Sequence, residues 1–337
     1  MKVAMIGSGS WGTALAMVLA ENKHQVHCWT KDATVVNTVA ETGENQKYLP
    51  GIKLPGEILF TTDLNATLQD TEMVVSAVPS QVTREVLRQI PTEVLNDEQV
   101  WVTVSKGIEN NTYKRISEVI AETVPVGAER IVALSGPSHA EEVARRIPTA
   151  IVSASVNLNA AQQVQEAFKT PYFRVYANDD VTGVELGGAL KNIIALAAGI
   201  CDGAGFGDNT KAALITRGLV EMNRLGKKMG ARSDTFAGLS GMGDLIVTCM
   251  SRHSRNRHVG EQIGKGRSLQ EILDEMVMVA EGVKTTLSAY ELSRKYGVEM
   301  PITEQIYLTL FKNKPPHQAM VDLMTRESKV EDWGQSN

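Results

Sequence analysis

A lysine and an asparagine stand side by side in an otherwise apolar run, Gly187-Gly188-Ala189-Leu190-Lys191-Asn192-Ile193-Ile194-Ala195. At helical spacing Gly187, Gly188, Ala195 and Ala198 share the Lys191 face, so another group can approach the ammonium closely. Desolvation lowers a lysine's pKa toward the range useful for proton transfer, and snorkelling would not need small neighbours. Lys191 therefore reads as a proton donor and acceptor. Ser254-Arg255-Asn256-Arg257 lies in a compact cationic run, Arg252–His258. A guanidinium grips phosphate bidentately, with Ser254 and Asn256 able to donate beside it. The residues after 180 carry 19 basic and 18 acidic side chains, net +1, so no broad basic field for nucleic acid surrounds the cluster. A small phosphorylated ligand is the better partner. The loop Gly238–Asp244 ends in a carboxylate that either caps a helix, accepts from a substrate hydroxyl, or orients Lys191.

The N-terminus carries the second chemistry. Gly7-Ser8-Gly9-Ser10-Trp11-Gly12 is G-x-G-x-x-G, directly after a β-type run and opening a helix. Gly7 serves the tight turn, Gly9 lets backbone approach a pyrophosphate, and Gly12 lets helix and strand pack closely. The context marks a dinucleotide cofactor. The next strand ends in Trp29-Thr30-Lys31, with Asp32 slightly late for a ribose-binding carboxylate. A cation at Lys31 suits a 2′-phosphate, so NADP is favoured and NAD remains admissible. Val78-Pro79-Ser80, Ser105-Lys106-Gly107 and Ser135-Gly136-Pro137-Ser138 each follow a strand-like run and together suggest a lined crevice, with Lys106 as its cation. Gly260–Gly266 lacks the spacing of a P-loop, and His253 and His258 lack the companions of a metal site, so no metal is expected.

These residues need a scaffold. Up to residue 180, β-branched runs (Lys2–Ile6, Gln25–Thr30, Met73–Val78, Val100–Ser105, Ile131–Ser135, Thr149–Ser153, Phe173–Ala177) alternate with helical stretches, which predicts a mostly parallel, doubly covered sheet. From Val181 on, strand signals vanish and helices are predicted at about 181–201, 211–229, 234–250, 268–275, 283–296, 303–312 and 316–325. The fold class is α/β: a Rossmann-type dinucleotide-binding domain over 1–180, then an all-α substrate and catalytic domain over 181–337. Lys and Arg number 34 against 39 Asp and Glu, a net charge of −5, which argues against a nucleic-acid or membrane coat. The three cysteines, Cys28, Cys201 and Cys249, are far apart and suggest no disulfide framework. Glycines break the N-terminal apolar run where a signal peptide should be continuous, and Ile193–Cys201 is too short an unbroken apolar run to span a membrane. A cytoplasmic protein is expected, with a frayed polar tail after Arg326.

Taken together, Gly7–Gly12, Val78–Ser80, Ser105–Gly107, Ser135–Ser138, Gly187–Met222, Gly238–Asp244, Ser254–Arg257 and Glu281-Gly282 form a pattern. The chain resembles the bacterial-type NAD(P)-dependent sn-glycerol-3-phosphate dehydrogenases over essentially its full length. The resemblance implies reversible reduction of dihydroxyacetone phosphate to sn-glycerol 3-phosphate, a supply step for glycerophospholipids. It also implies cofactor contacts at Ser10, Trp11, Lys31, Lys106, Ala140, Arg255, Val279 and Glu281. Substrate contacts are implied at Lys106, Gly136, Ser138, Lys191, Asp244, Ser254, Arg255 and Asn256, with Lys191 as proton acceptor in the oxidative direction. His139 stands where the family commonly has an aromatic residue, and Ser240 and Met242 where Ala and Leu are usual. A homodimer is compatible with this reading. The alternatives are another two-domain hydroxyacid dehydrogenase, a non-catalytic nicotinamide-binding regulator, and an RNA-binding role for Arg252–His258.

Overall fold

A computed structural model describes residues 1–328, 330 and 331 of the chain. The expectation for the extreme tail falls in part on residues outside the described ones. Two compact units divide the chain: Met1–Lys106 with Arg115–Val181, and Gly107–Lys114 with the residues from Thr182 on.

The first unit is built on β1 (Lys2–Ile6), β2 (Gln25–Trp29), β3 (Leu59–Thr61), β4 (Met73–Ser76), β5 (Val100–Thr103), β6 (Ile131–Ser135), β7 (Thr149–Ala154) and β8 (Phe173–Asn178). They form one sheet in the order β3-β2-β1-β4-β5-β6-β7-β8. Every pairing is parallel except β6 with β7, where Leu134 faces Ser153. β4, β5 and β6 are buried along their whole length because both faces of the sheet are covered. Leu15, Leu19, Phe168 and Phe173 fill one face, and Trp101, Ile116 and Ile120 the other. The strand order reverses between β1 and β4, and the crevice at the carboxyl ends of such strands is where open α/β sheets bind ligands. The three-residue edge strand β3 is absent from the sequence reading, since Leu59-Phe60-Thr61 is too short to show a period.

The second unit is helical among the described residues. Its centre is the 24-residue helix Val181–Ala204, with Leu186, Leu190, Ile193 and Ala197 in the core. By length and composition this helix could cross a membrane, with mean hydropathy 1.5, but that whole window is buried inside the protein. The unbroken apolar run Ile193–Cys201 is only part of this helix, because the polar pair Lys191-Asn192 interrupts it. Two further differences have local causes. Gly107–Lys114 belongs here rather than with the sheet, because Ile108 joins the helical core and Ser288 Oγ bonds both Ile108 O and Asn110. The segment expected as one helix over 234–250 breaks into Ser233–Ala237, a wide turn Leu239–Gly243 and the helix Asp244–Met250, with glycines at 238, 241 and 243 in the turn region.

Candidate active site

β1 runs into Gly7, whose φ of 113° is a conformation glycine adopts at little cost. The Gly7 N–H donates to Trp29 O at 3.0 Å, fastening the turn to β2. Gly9 has open space where a side chain would stand, and a Cβ on Gly12 would run into the Gly7 carbonyl oxygen. The buried Asn45 braces the turn by donating from Nδ2 to Ser8 O at 2.8 Å and to Thr13 Oγ1 at 2.9 Å. Sequence reasoning missed Asn45, which sits in a polar loop without periodicity. The helix Ser10–Glu21 starts at this turn, so its first N–H groups and positive dipole end make an anion site. The indole N–H of Trp11 and the hydroxyls of Ser76 and Ser135 are buried without a hydrogen-bond partner among the described residues. Ser76 closes β4 and Ser135 closes β6. A glycine cradle beneath a helix start, with Trp11 beside it, fits a bound dinucleotide.

Lys31 stands exposed just past β2. Asp32, its neighbour, caps the helix Ala33–Thr42 by accepting from Thr34 N at 3.0 Å and pairs with Lys47 at 2.7 Å. The Lys47 ammonium holds the Asp32 carboxyl down at about 2. Asp32 is thus engaged by its own helix and neighbour, which leaves the end of β2 cationic in character.

The three loops are laced together. Ser105 Oγ donates to Val78 O at 2.6 Å, and Lys106 Nζ donates to Gly136 O at 2.8 Å and Ser138 Oγ at 3.3 Å. Gly136 has φ 145°, and a Cβ there would lie 2.9 Å from Ile151 Cα. Lys106, Gly136 and Ser138 therefore share one spot, and Ala140 follows, buried, as the first residue of the helix Ala140–Ala144.

In the second unit Lys191 is only 6% exposed. Its Nζ lies 3.0 Å from Asp244 Oδ1 and donates to Thr248 Oγ1 at 2.6 Å. Thr248 Oγ1 in turn donates to the Asp244 carbonyl at 2.6 Å, one helical turn back. Pairing and hydrogen bonding are what let opposite charges reside in such an apolar interior. A Cβ on Gly187 would sit 2.6 Å from Ser240 O, so the small-residue face of the Lys191 helix is used by the turn that precedes Asp244. Asp244 both opens its helix and holds Lys191. Thr248 escaped the sequence reading, although its i+4 spacing from Asp244 was available as a signal.

Ser254 to Arg257 prove to start a helix, Arg255–Gly264, capped by Ser254 Oγ accepting from Arg257 N at 3.1 Å. Asn256 Nδ2 donates to Asn192 Oδ1 at 2.9 Å, and its Oδ1 accepts from Gly282 N at 2.9 Å. Exposed Arg255 donates from Nη1 to Val279 O at 3.0 Å, and Glu281 opens the helix Glu281–Tyr296. The cationic run is therefore not one phosphate grip. Arg255 faces outward while Arg257 turns to Asp202, with Nη2 at 2.6 Å from its Oδ2.

Comparison with known proteins agrees along the whole chain. Residues 2–161 match the family described as NAD-dependent glycerol-3-phosphate dehydrogenase N-terminus, and residues 180–321 its C-terminus. A glycerol-3-phosphate dehydrogenase (NAD(P)+) of Geobacter sp. (strain M21) is 55% identical over 332 residues, 98% of each chain. One from Bacillus cytotoxicus is 54% identical over 331 residues, 98% of this chain and 97% of the relative. The crystal structure of glycerol-3-phosphate dehydrogenase from Coxiella burnetii superposes with a TM-score of 0.91 at 37% identity, covering 96% of this chain and 98% of that one. With both halves matched and these relatives covered nearly end to end, the chain belongs to the NAD-dependent glycerol-3-phosphate dehydrogenase family.

Proposed function

We propose that the first unit holds a nicotinamide cofactor and that the second holds the substrate and moves its proton. The reaction is the reversible, NAD(P)H-dependent reduction of dihydroxyacetone phosphate to sn-glycerol 3-phosphate, as family membership implies. Gly7, Gly9, Ser10, Trp11 and Gly12 hold the pyrophosphate side, and Lys31 favours the 2′-phosphate of NADPH. A bound nicotinamide supplies the hydride for the carbonyl carbon. Lys191 gives the proton from Nζ to the carbonyl oxygen as negative charge develops there, and takes it back in the oxidative direction. Asp244 at 3.0 Å and Thr248 at 2.6 Å fix the ammonium, so the proton is presented from a held position rather than a mobile chain. Val279 O steadies the guanidinium of Arg255, which anchors the substrate phosphate, and Asn256 orients a hydroxyl from its bridge between Asn192 and Gly282. Binding energy at the phosphate then positions the carbonyl for reaction. The observation that carries this reading is the buried Lys191–Asp244–Thr248 constellation. Three buried free cysteines suit the reducing cytoplasm, and a homodimer is compatible with the assignment.

The test compares NADPH oxidation with dihydroxyacetone phosphate and with unphosphorylated dihydroxyacetone. A charge-assisted contact to phosphate contributes ~1.5–3 kcal/mol, so Arg255→Ala should lose about ten- to hundredfold in kcat/KM on the phosphate ester. Activity on dihydroxyacetone should fall much less. Equal losses on both substrates at saturating NADPH would remove Arg255 from phosphate recognition.

A further inference from the structure

We infer that Arg257 is a positioning residue: clamped on Asp202, it fixes the register between the helix of Arg255 and the helix of Lys191, and so sets the length of substrate the enzyme accepts. The inference rests on the roles proposed above for Lys191 and Arg255. Arg257 lies two positions beyond Arg255 on one helix, so the two side chains leave it in nearly opposite directions, ~200° apart. Its Nε and Nη2 both reach Asp202 Oδ2, at 2.8 and 2.6 Å, and Nη1 stands 3.6 Å from Glu261. Lys211 also pairs with Asp202. A guanidinium committed in this way to two carboxylates of its own protein is not a phosphate ligand. It is a strut.

What it connects gives it a function. Asp202 belongs to the Val181–Ala204 helix, about 16 Å along the axis from Lys191 at 1.5 Å per residue. Where that helix crosses Arg255–Gly264, the two main chains touch without side chains between them. A Cβ on Gly199 would lie 2.8 Å from Glu261 N, one on Gly260 3.0 Å from Ile200 N, and one on Gly264 2.9 Å from Ala204 N. Such a crossing fixes how near the helices come, because no side chain can yield. It does less to resist sliding, since glycine surfaces present no knobs to catch. Directional contacts must supply the register. Two do: Asn256 to Asn192 at 2.9 Å, beside both functional residues, and the forked Arg257–Asp202 pair, which reaches from the same first turn to the C-terminal end of the Val181–Ala204 helix. A slip along the crossing would change the span from Lys191 to Arg255, which is the span from carbonyl oxygen to phosphate. The ligand class selected is a ketone with one carbon between carbonyl and phosphate ester.

The test uses Asp202→Asn, which keeps the shape and an acceptor oxygen but removes the charge, and Arg257→Lys, which keeps the charge but not the fork. In each, KM for dihydroxyacetone phosphate should rise about tenfold while kcat stays within roughly twofold, the signature of lost uniform binding. NADPH affinity, read from quenching of tryptophan fluorescence, should not move. The distinguishing readout is the inhibition constant of 4-hydroxy-3-oxobutyl phosphate, which has one more methylene between carbonyl and phosphate. Relative to the KM of the three-carbon substrate it should fall at least ~fivefold, because the relaxed register tolerates the longer span. An unchanged ratio, with or without a lower melting temperature, overturns the inference and leaves Arg257 a packing residue. If only one variant folds, the ratio is read on that one. Should neither yield folded protein, Arg257 serves folding first and the inference is overturned. Arg255→Ala is run in parallel: if it fails to discriminate phosphate from hydroxyl, the proposed anchor has failed, whereas a normal Arg255 result with an unchanged ratio condemns the register device alone.

Discussion

At the Gly7–Gly12 turn the proposed cofactor site is made of main chain and missing side chains, whereas the proposed proton-transfer site at Lys191 is made of side chains from two helices. The first region works by absence. A Cβ on Gly9 would meet nothing, and one on Gly12 would run into the Gly7 carbonyl. The second works by presence, with a buried ammonium, carboxylate and hydroxyl within 3.2 Å of one another. A backbone site is broken by adding one methyl group; a side-chain site is broken by removing one charge. The two regions should therefore fail differently. Loss at the turn should show as weakened cofactor binding, and loss at Lys191 as lost turnover.

The sharpest break is at Lys191. Lys191→Met keeps length and apolar character but removes the proton, and should lower kcat by ~10²–10⁴, the usual scale of general acid–base catalysis. NADPH affinity should stay near that of the parent. Because the change also leaves Asp244 buried without its ammonium, a thermal melt must accompany the kinetics to separate misfolding from lost chemistry. Near-normal kcat in a folded Lys191→Met enzyme would falsify the assignment.

Gly12→Ala probes the opposite material. Its methyl meets the Gly7 carbonyl oxygen, so the turn or the helix start has to shift. Overpacking of this kind costs ~1–3 kcal/mol, which predicts about ten- to hundredfold weaker NADPH binding by fluorescence titration. At saturating NADPH, kcat should return to near the parent value. A turnover defect that saturation does not cure would erase the contrast between the two regions.

Lys31→Asp sharpens the contrast within the cofactor side, since an exposed cation there is a side-chain device added to a backbone site. It should shift the ratio of KM values for NADPH and NADH by about tenfold toward NADH, the scale of one charge-assisted contact. An unmoved ratio would make Lys31 an ordinary surface lysine and leave cofactor choice to other groups.

The same contrast explains what could be read in the sequence. Glycines at fixed spacing after a strand are a local signal, because the turn, the cradle and the helix start are made by contiguous residues. The β1–turn–helix unit was therefore legible, and so was the change from strands to helices near 181. Partners supplied by distant residues were not. Asn45 reaches Ser8 across 37 positions and Thr248 reaches Lys191 across 57, and neither carries a motif of its own. Within the Arg252–His258 run, a linear reading cannot divide the work among the arginines. Composition made it one cationic patch, but a helix begins there, and its geometry sends Arg255 and Arg257 to different tasks. Gly107–Lys114 was assigned with the sheet because order along the chain is all that a linear reading sees. Ile108 sits in the helical core instead.

The smallest effect on turnover is expected at Glu221, a buried carboxyl on the helix Asp208–Lys228 that none of the chemistry uses. It accepts from Ile302 N at 2.6 Å, Thr303 N at 3.1 Å and Thr303 Oγ1 at 3.0 Å, at the start of the helix Pro301–Lys312. Burial nevertheless pushes its carboxyl up to about 7, from an ordinary value of 4.5. Between those two values the folded chain keeps a proton that the unfolded chain has released. Stability must therefore fall as pH rises through this window, is greatest below it, and levels off above about 7. Each pH unit in the window is worth about 1.4 kcal/mol, so the full fall is on the order of 3 kcal/mol. Glu221→Gln abolishes the titration while keeping an acceptor oxygen for the helix start. Urea unfolding of both proteins from pH 5 to pH 8 should show the stability difference moving in favour of the glutamine variant as pH rises, with kcat at saturating substrates the same in both. A difference that does not vary with pH would mean that Glu221 is already ionised in the folded protein across this range, and that the three donors at the helix start outweigh its burial.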